Sequence, residues 1–479
     1  MSIESDHTTT IPMLSLTEDT LVEVGMDDSL VVVTRWGEFE LAGTDELTVE
    51  SLRRLALGTV CVQNVPGDVA DTAGLRRVLE ALSGSVVHSL GLPDGKRPLL
   101  SVVPVGRRPR FDPRPVAPDT PIRLSRFAAM RPADGLMVLE CPSSRFRVQL
   151  GRPDAVRVAG ALATPTSPAE VATETGLAAS LVADMVSYLV GAGVALTGDK
   201  AGFAEDTDVN LRQWAPHELL FHVRSRTRLG RGRSEAPSRS SLSNAAVSKP
   251  VPAGPRLPLY RPAANAPGPQ VALSGLLEID HVCPAFADLD VTADQLGELL
   301  YRSARIRSVG PSPLPINGMQ LASQRPYYSV ACLYELELYL TVNRCAPAGR
   351  IPVGIYHYDP QGHALTLVND EPSDVVAVLD MAMAASGTDK RPAALLTATT
   401  RQERTSWALG GASYATALMH LGALQQTLYL TARTLGLAAH AITVDADDRV
   451  EAALRLRWPG EAAIGECVIG PLLRADERA

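Results

Sequence analysis

The stretch Arg325-Pro326-Tyr327-Tyr328-Ser329-Val330-Ala331-Cys332-Leu333-Tyr334-Glu335-Leu336-Glu337-Leu338-Tyr339, followed by Gly354-Ile355-Tyr356-His357-Tyr358-Asp359-Pro360, carries the reading of the second half of this 479-residue chain. It runs into an apolar, aromatic segment over 338–342, and 354–358 has a similar composition, so both read as strands. Working outward, 393–398, 438–444 and 466–472 are further strands, while 292–305, 373–385 and 413–435 have the spacing of helices. Strands alternating with helices indicate an α/β-type core. Leu418, Leu421, Leu424, Leu428, Ala432 and Leu435 make the last helix apolar almost all round. Such a helix is expected to bury more than one side, as a central or dimer-interface helix does.

Upstream, 225–270 turns to Pro, Ser, Gly, Ala and Arg, as in Ser234-Glu235-Ala236-Pro237-Ser238-Arg239-Ser240-Ser241. That composition cannot bury enough apolar surface to offset ordering entropy, so an exposed linker is expected. Arg224, Arg226, Arg228, Arg231 and Arg233 form a basic run at its start, either a solvated flank or a hold for an acidic peptide or a phosphate. The length predicts two or three domains, and the 46% hydrophobic and 20% charged fractions exclude a wholly disordered or collagenous chain. With 45 Lys+Arg against 53 Asp+Glu the formal charge is -8, which argues against an electrostatic grip on nucleic acid. Cys61, Cys141, Cys283, Cys332, Cys345 and Cys467 are scattered with no C-x-x-C pair, so reduced thiols are expected. The start Met1-Ser2-Ile3-Glu4 has no secretory pattern, and the most apolar stretch, 176–196, is interrupted by Asp184, Tyr188, Gly191 and Gly193. A cytoplasmic protein without a membrane span is expected.

The first half contains a weak internal repeat. Trp36-Gly37-Glu38-Phe39-Glu40-Leu41 and Ser144-Arg145-Phe146-Arg147-Val148-Gln149-Leu150 alternate apolar with polar, and helical material follows each. Ser167-Pro168-Ala169-Glu170 has the form of a capping box and starts a helix that ends near Gly176. A second helix carries Leu181, Met185 and Leu189 on one face, beside Val182 and Val186, until Gly191 and Gly193 stop it. Strand, helix, turn, helix suggests a winged-helix-like unit. Its second helix begins Ala178-Ala179-Ser180 and carries Asp184, with no Arg or Lys for DNA, which leaves a peptide-docking module or a packing scaffold.

No G-x-S-x-G, Walker loop or G-x-G-x-x-G is present. His217 and His222 are five apart, about 140° round a helix, whereas a zinc-protease pair is four apart on one face, so no metal site is expected.

The two runs quoted first resemble the SagB-type azoline dehydrogenases of the nitroreductase superfamily, which oxidise thiazolines and oxazolines in ribosomal peptides. The similarity extends through 214–226, through Leu296-Gly297-Glu298-Leu299-Leu300-Tyr301-Arg302 and through Leu421-Gly422-Ala423-Leu424-Gln425-Gln426-Thr427, over roughly 205–475. The first half looks like the leading region of longer members, particularly those of thiopeptide pathways. The resemblance implies an α+β fold, nitroreductase-like in the C-terminal half, and the repeat pattern of the first half places tandem winged-helix-like modules before it. These would occupy 1–100 and 101–224, with the linker over 225–270 and the dehydrogenase domain over 271–479. The resemblance also implies FMN, a ribosomal peptide substrate, dimerisation through the long helix as a homodimer or with a related dehydrogenase, and a possible complex with a cyclodehydratase.

Three family motifs are altered. In place of an Arg-Arg-Ser-x-Arg grip on the FMN phosphate, 278–284 reads Glu278-Ile279-Asp280-His281-Val282-Cys283-Pro284, and its carboxylates would repel a dianion. The Pro-Ser-x-Gly loop becomes Tyr328-Ser329-Val330-Ala331, keeping Ser329 for the flavin. The catalytic Lys-Tyr pair falls on Ala408 and Leu409, which move no proton. The family Gln-Asn pair becomes Gln426-Thr427, leaving Gln426 as a second cofactor-binding residue, and in a shifted register Tyr414 or His420 becomes the proton-transfer group. Two functions stand: an FMN-dependent azoline dehydrogenase with a divergent site, or a non-catalytic subunit that presents peptide to an intact dehydrogenase or cyclodehydratase.

Overall fold

A computed structural model describes residues 9–24, 30–41, 44–61, 73–200, 202–226, 246–263, 271–279, 286, 290–311, 321–347, 350–444 and 448–472. The chain divides into two compact units, Met1–Arg233 and Ser234–Ala479.

The second unit is built on a seven-stranded sheet. Its order is Arg256–Pro258, Ala364–Asn369, Gly354–Asp359, Leu336–Val342, Ala394–Arg401, Glu461–Pro471, Leu437–Ile442. Every pairing is antiparallel, so the α/β reading gives way to α+β. Alternation of strands with helices fixes the number of layers but not strand direction, and the direction here follows from hairpins such as the tight turn at 360–363. In that turn the Asp359 carboxylate accepts the Gln361 and Gly362 N–H groups.

All seven residues of Leu336–Val342 are buried. Leu336, Leu338 and Leu340 pack with Leu296, Leu299 and Leu300 of the helix Ala293–Ala304 and with Leu421, Leu424 and Leu428 of the long helix Ser413–Thr434. Each of these leucines contributes roughly 2 kcal/mol on leaving water. Tyr339, on the opposite face, packs with Val375, Val378 and Leu379 of Pro372–Ser386. Helices therefore cover both faces of the sheet. Thr292 and Gln295 form a reciprocal capping box that starts Ala293–Ala304. The long helix buries one side only. Tyr414, Leu418 and Met419 on another side are exposed.

In the first unit a three-stranded antiparallel meander followed by helices occurs twice. The first is Leu21–Val24, Leu30–Thr34 and Gly37–Leu41, then the helix Glu46–Leu57. The second is Ala129–Ala133, Leu136–Glu140 and Phe146–Leu150, then Pro153–Ala161, Pro168–Thr175 and Ala179–Gly191. Leu181, Val182, Met185, Val186 and Leu189 are buried, as their spacing predicts, and Gly176 ends the preceding helix in the left-handed region at φ 67°. The cap at Ser167 differs from the expected box: its hydroxyl accepts the Glu170 N–H and donates to the Glu170 carboxylate.

The exposed linker expected over 225–270 is shorter within the described residues. Its stretch 246–263 is built into the second unit: Arg256–Pro258 is the edge strand of the sheet, Leu259 joins the main core, and Lys249 is held among acidic side chains. Of the basic run, Arg224 pairs with the buried Glu140 at 2.9 Å, while Arg228, Arg231 and Arg233 lie outside the described residues. Among the described residues, no helix is long and apolar enough to cross a membrane, and His217 and His222 are both exposed and belong to no group of ligands that could hold a metal.

Candidate functional site

The loop 325–335 joins the strand Leu321–Gln324 to Leu336–Val342 and carries the altered Ser329-Val330-Ala331 motif. It is pinned from three sides. The buried His420 of the long helix accepts the Val330 N–H at Nε2, 2.8 Å away, and its Nδ1 lies 2.7 and 3.0 Å from the two carboxylate oxygens of Glu335. A nitrogen that accepts from an amide carries no proton, so the proton sits on Nδ1 and is donated to Glu335. Both His420 and Glu335 are 0% exposed. Arg404 donates from Nε to the Leu333 carbonyl (2.8 Å) and from Nη2 to the Leu321 carbonyl. Within the loop, the Tyr334 N–H donates to the Ser329 hydroxyl (3.1 Å) and the Tyr334 hydroxyl to the Tyr327 carbonyl (2.8 Å).

These contacts hold an unfavourable backbone. Ala331, Cys332 and Tyr334 have φ of 52°, 57° and 46°, a region that costs a side-chain-bearing residue roughly 1 kcal/mol and costs glycine nothing comparable. Ala331→Gly is therefore expected to stabilise the second unit by about 0.5–1 kcal/mol, read as a rise in the denaturant midpoint at unchanged slope. A loss of stability would mean that the Ala331 methyl group packs to better effect than its backbone strain costs.

FMN, which the resemblance implies, brings a dianionic phosphate that needs unspent donors. Around this loop the buried guanidiniums are already committed: Arg404 to two carbonyls, Arg325 to the Leu336 and Val247 carbonyls, and Arg401 to Glu337 and the Ala246 carbonyl. Burial and the charges of Arg401 and Arg325 hold the Arg404 guanidinium down to about 10, the mark of a cation in a crowded, dry place. Arg307 beside the loop is exposed, and one exposed guanidinium is not a phosphate cradle. Around this loop, among the described residues, the donor set does not fit the phosphate. Of the segment that stands in place of the family's phosphate grip, Glu278 is exposed, and Asp280 to Pro284 lie outside the described residues.

The other expected site residues fall as follows. Ser329 and His420 meet through the loop, Ser329 being buried and tied to Tyr334. Ala408 and Leu409 end the short helix Ser406–Leu409, half-buried, with no side-chain group to transfer a proton. Tyr414 and Gln426 are both exposed on the long helix, about 18 Å apart along its axis, so one small ligand cannot touch both on a straight helix. Sequence reasoning missed Glu335, Arg325 and Arg404.

It also missed a buried polar cluster on the other face of the sheet. Glu337 receives the Lys249 N–H (2.9 Å), the Arg401 guanidinium (3.0 Å) and His357 Nε2 (3.3 Å). The Lys249 ammonium lies 2.5 Å from Glu461 and from the Tyr339 hydroxyl, and Thr399 donates to the same Glu461. The segment 246–249 thus adds an N–H and an ammonium to carboxylates that Arg401 and His357, and Thr399 and Tyr339, already contact from the strands.

Comparisons with known proteins add the following. Residues 122–232 match the family model described as cyanobactin oxidase ThcOx. No curated protein matches. Among solved structures, a candidate nitroreductase from Anabaena variabilis is 16% identical with a TM-score of 0.39, and the alignment covers 54% of this chain and 47% of that one. This chain thus spans just under half the length of that protein. A second, from Ralstonia eutropha, is 18% identical with a TM-score of 0.35, covering 46% and 90%. The Escherichia coli microcin synthetase McbBCD complex with truncated pro-MccB17 bound contains a chain 20% identical with a TM-score of 0.32, covering 45% and 78%.

Proposed function

We propose, from the match of residues 122–232 to the cyanobactin oxidase family and the SagB-type resemblance of the second half, that this chain serves ribosomal peptide biosynthesis of the thiazole/oxazole or thiopeptide kind. In this reading it handles the peptide for a catalytic partner and does not itself oxidise azolines. The observation that carries it is the engagement of His420: both ring nitrogens are taken, one by Val330 and one by Glu335, while Ala408 and Leu409 stand at the family's Lys-Tyr positions, for which His420 is one of the two replacements. Removing a ring proton needs a side chain with a free basic atom at the substrate, and His420 has none to give.

The family reaction, FMN-dependent oxidation of azolines to azoles, then belongs to an intact dehydrogenase, with a cyclodehydratase as the other candidate partner. The exposed Tyr414, Leu418 and Met419 of the long helix support a second copy or a related dehydrogenase as the cover of that side. The two meander-and-helix modules are taken as winged-helix-like peptide-docking modules. Incubating the chain with an azoline-containing peptide and FMN is expected to yield no azole, and adding it to the dehydrogenase and cyclodehydratase is expected to raise their yield. Azole formation by the chain alone would restore the catalytic reading, with Ser329 and Gln426 as the flavin contacts to mutate first.

A further inference from the structure

Two hollows lie side by side in the first unit, one of about 600 Å³ and one of about 420 Å³, and they share Arg110 and Phe146. Together they make a trough along the segment 105–113. That segment is anchored at both ends: the Val105 N–H donates to the Arg145 carbonyl (2.9 Å), a Cβ on Gly84 would come within 2.4 Å of the Arg107 carbonyl, and one on Gly191 within 2.9 Å of Pro113. Arg108 and Arg110 are therefore presented on a fixed support, which lowers the ordering cost of any ligand they hold.

The walls differ in kind. Arg76, Arg108, Arg110 and Arg145 are exposed around the rim, against one carboxylate in the lining, Glu80 of the larger hollow, in a chain of net charge -8. The floor is aromatic and apolar. Phe111 sits at its centre with ring centroids 4.6 Å from His88, 5.7 Å from Phe146 and 5.2 Å from Tyr188, while Leu14, Leu79 and Val86 line the larger hollow. Burial pushes His88 down to about 4, so it adds no charge at neutral pH. The C-terminal end of the helix Ala179–Gly191 borders the smaller hollow, and its negative dipole end disfavours a bare polyanion there.

We propose that this trough binds an extended peptide segment in which acidic side chains alternate with aliphatic or aromatic ones. Carboxylates meet the four arginines, and apolar side chains fill the floor around Phe111. A phosphate would leave the larger hollow empty. The inference deepens the peptide-handling reading above and rests on it for the source of the peptide.

The test is fluorescence anisotropy of the full chain with a short fluorescein-labelled peptide of alternating Glu and Leu or Phe, against a counterpart with Lys in place of Glu. Binding of the acidic probe alone is expected, weakening with salt, and Arg110→Glu and Arg145→Glu should each weaken it by about ten-fold or more. Arg391→Glu, an exposed charge reversal in the second unit, should leave it unchanged. Equal binding by wild type and both trough variants would overturn the proposal, as would equal competition by polyglutamate, inorganic phosphate or oligothymidylate. Probe binding that survives while the chain fails to raise azole yield would remove the function proposed above and keep the trough. The converse would remove the trough alone.

Discussion

Replacing His420 by alanine is expected to cost the second unit about 3–5 kcal/mol, the usual loss when one partner of a fully buried charge-assisted pair is removed. The imidazole joins two groups that have no access to water: the Glu335 carboxylate and the Val330 N–H. Alanine leaves the carboxylate in a dry site and the amide without an acceptor, and it opens a cavity in the long helix where His420 packed. His420→Gln, whose amide can both donate and accept, should recover part of the loss. Chemical denaturation reads both, as a shift of midpoint at unchanged slope. A change below about 1 kcal/mol would mean that the imidazole is not holding the loop, and would reopen His420 as a proton-transfer group.

The second large effect is expected at Glu337 and depends on pH. Burial alone would push its carboxyl up, but the His357 hydrogen bond and the Arg401 and Arg325 charges hold it down to about 2, below an ordinary value of 4.5. A carboxyl whose pKa is depressed on folding contributes stability that is complete above its unfolded pKa and is lost as the pH falls through the folded one. The difference corresponds to roughly 3 kcal/mol. Glu337→Gln should therefore be destabilised by about that amount at neutral pH, and the gap to wild type should close between pH of about 4.5 and 2. A gap of the same size at pH of about 2 would assign the loss to packing instead of charge.

Most of the second unit's elements were legible from hydrophobic periodicity, because its strands and helices are long and their apolar faces are continuous. Strand direction was not, since an antiparallel sheet covered on both faces reads as apolar as a parallel one. The run Glu335-Leu336-Glu337-Leu338 misled for a related reason. Alternation of that kind ordinarily turns the carboxylates to water, whereas here both are buried, and what compensates them lies far away in sequence: His420 for Glu335, Arg401 and Lys249 for Glu337. Lys249 was read as linker because composition registers low apolar content and not the ion pair that fixes the segment. At the loop, the bulk of Ala331 where glycine is expected was visible in the sequence, and the structure adds that the left-handed backbone persists without the glycine. The arginine trough was missed because its residues come from five separated segments, and the basic run that composition picked out lies elsewhere.

The central claim, a dehydrogenase-like fold whose flavin and proton-transfer groups are spent on holding the loop, is tested most directly by visible absorbance. The purified chain is incubated with excess FMN and passed through gel filtration. A protein peak without flavin absorbance is predicted, since the Arg325, Arg401 and Arg404 guanidiniums are turned to backbone carbonyls and to Glu337. Stoichiometric flavin travelling with the protein would contradict the account.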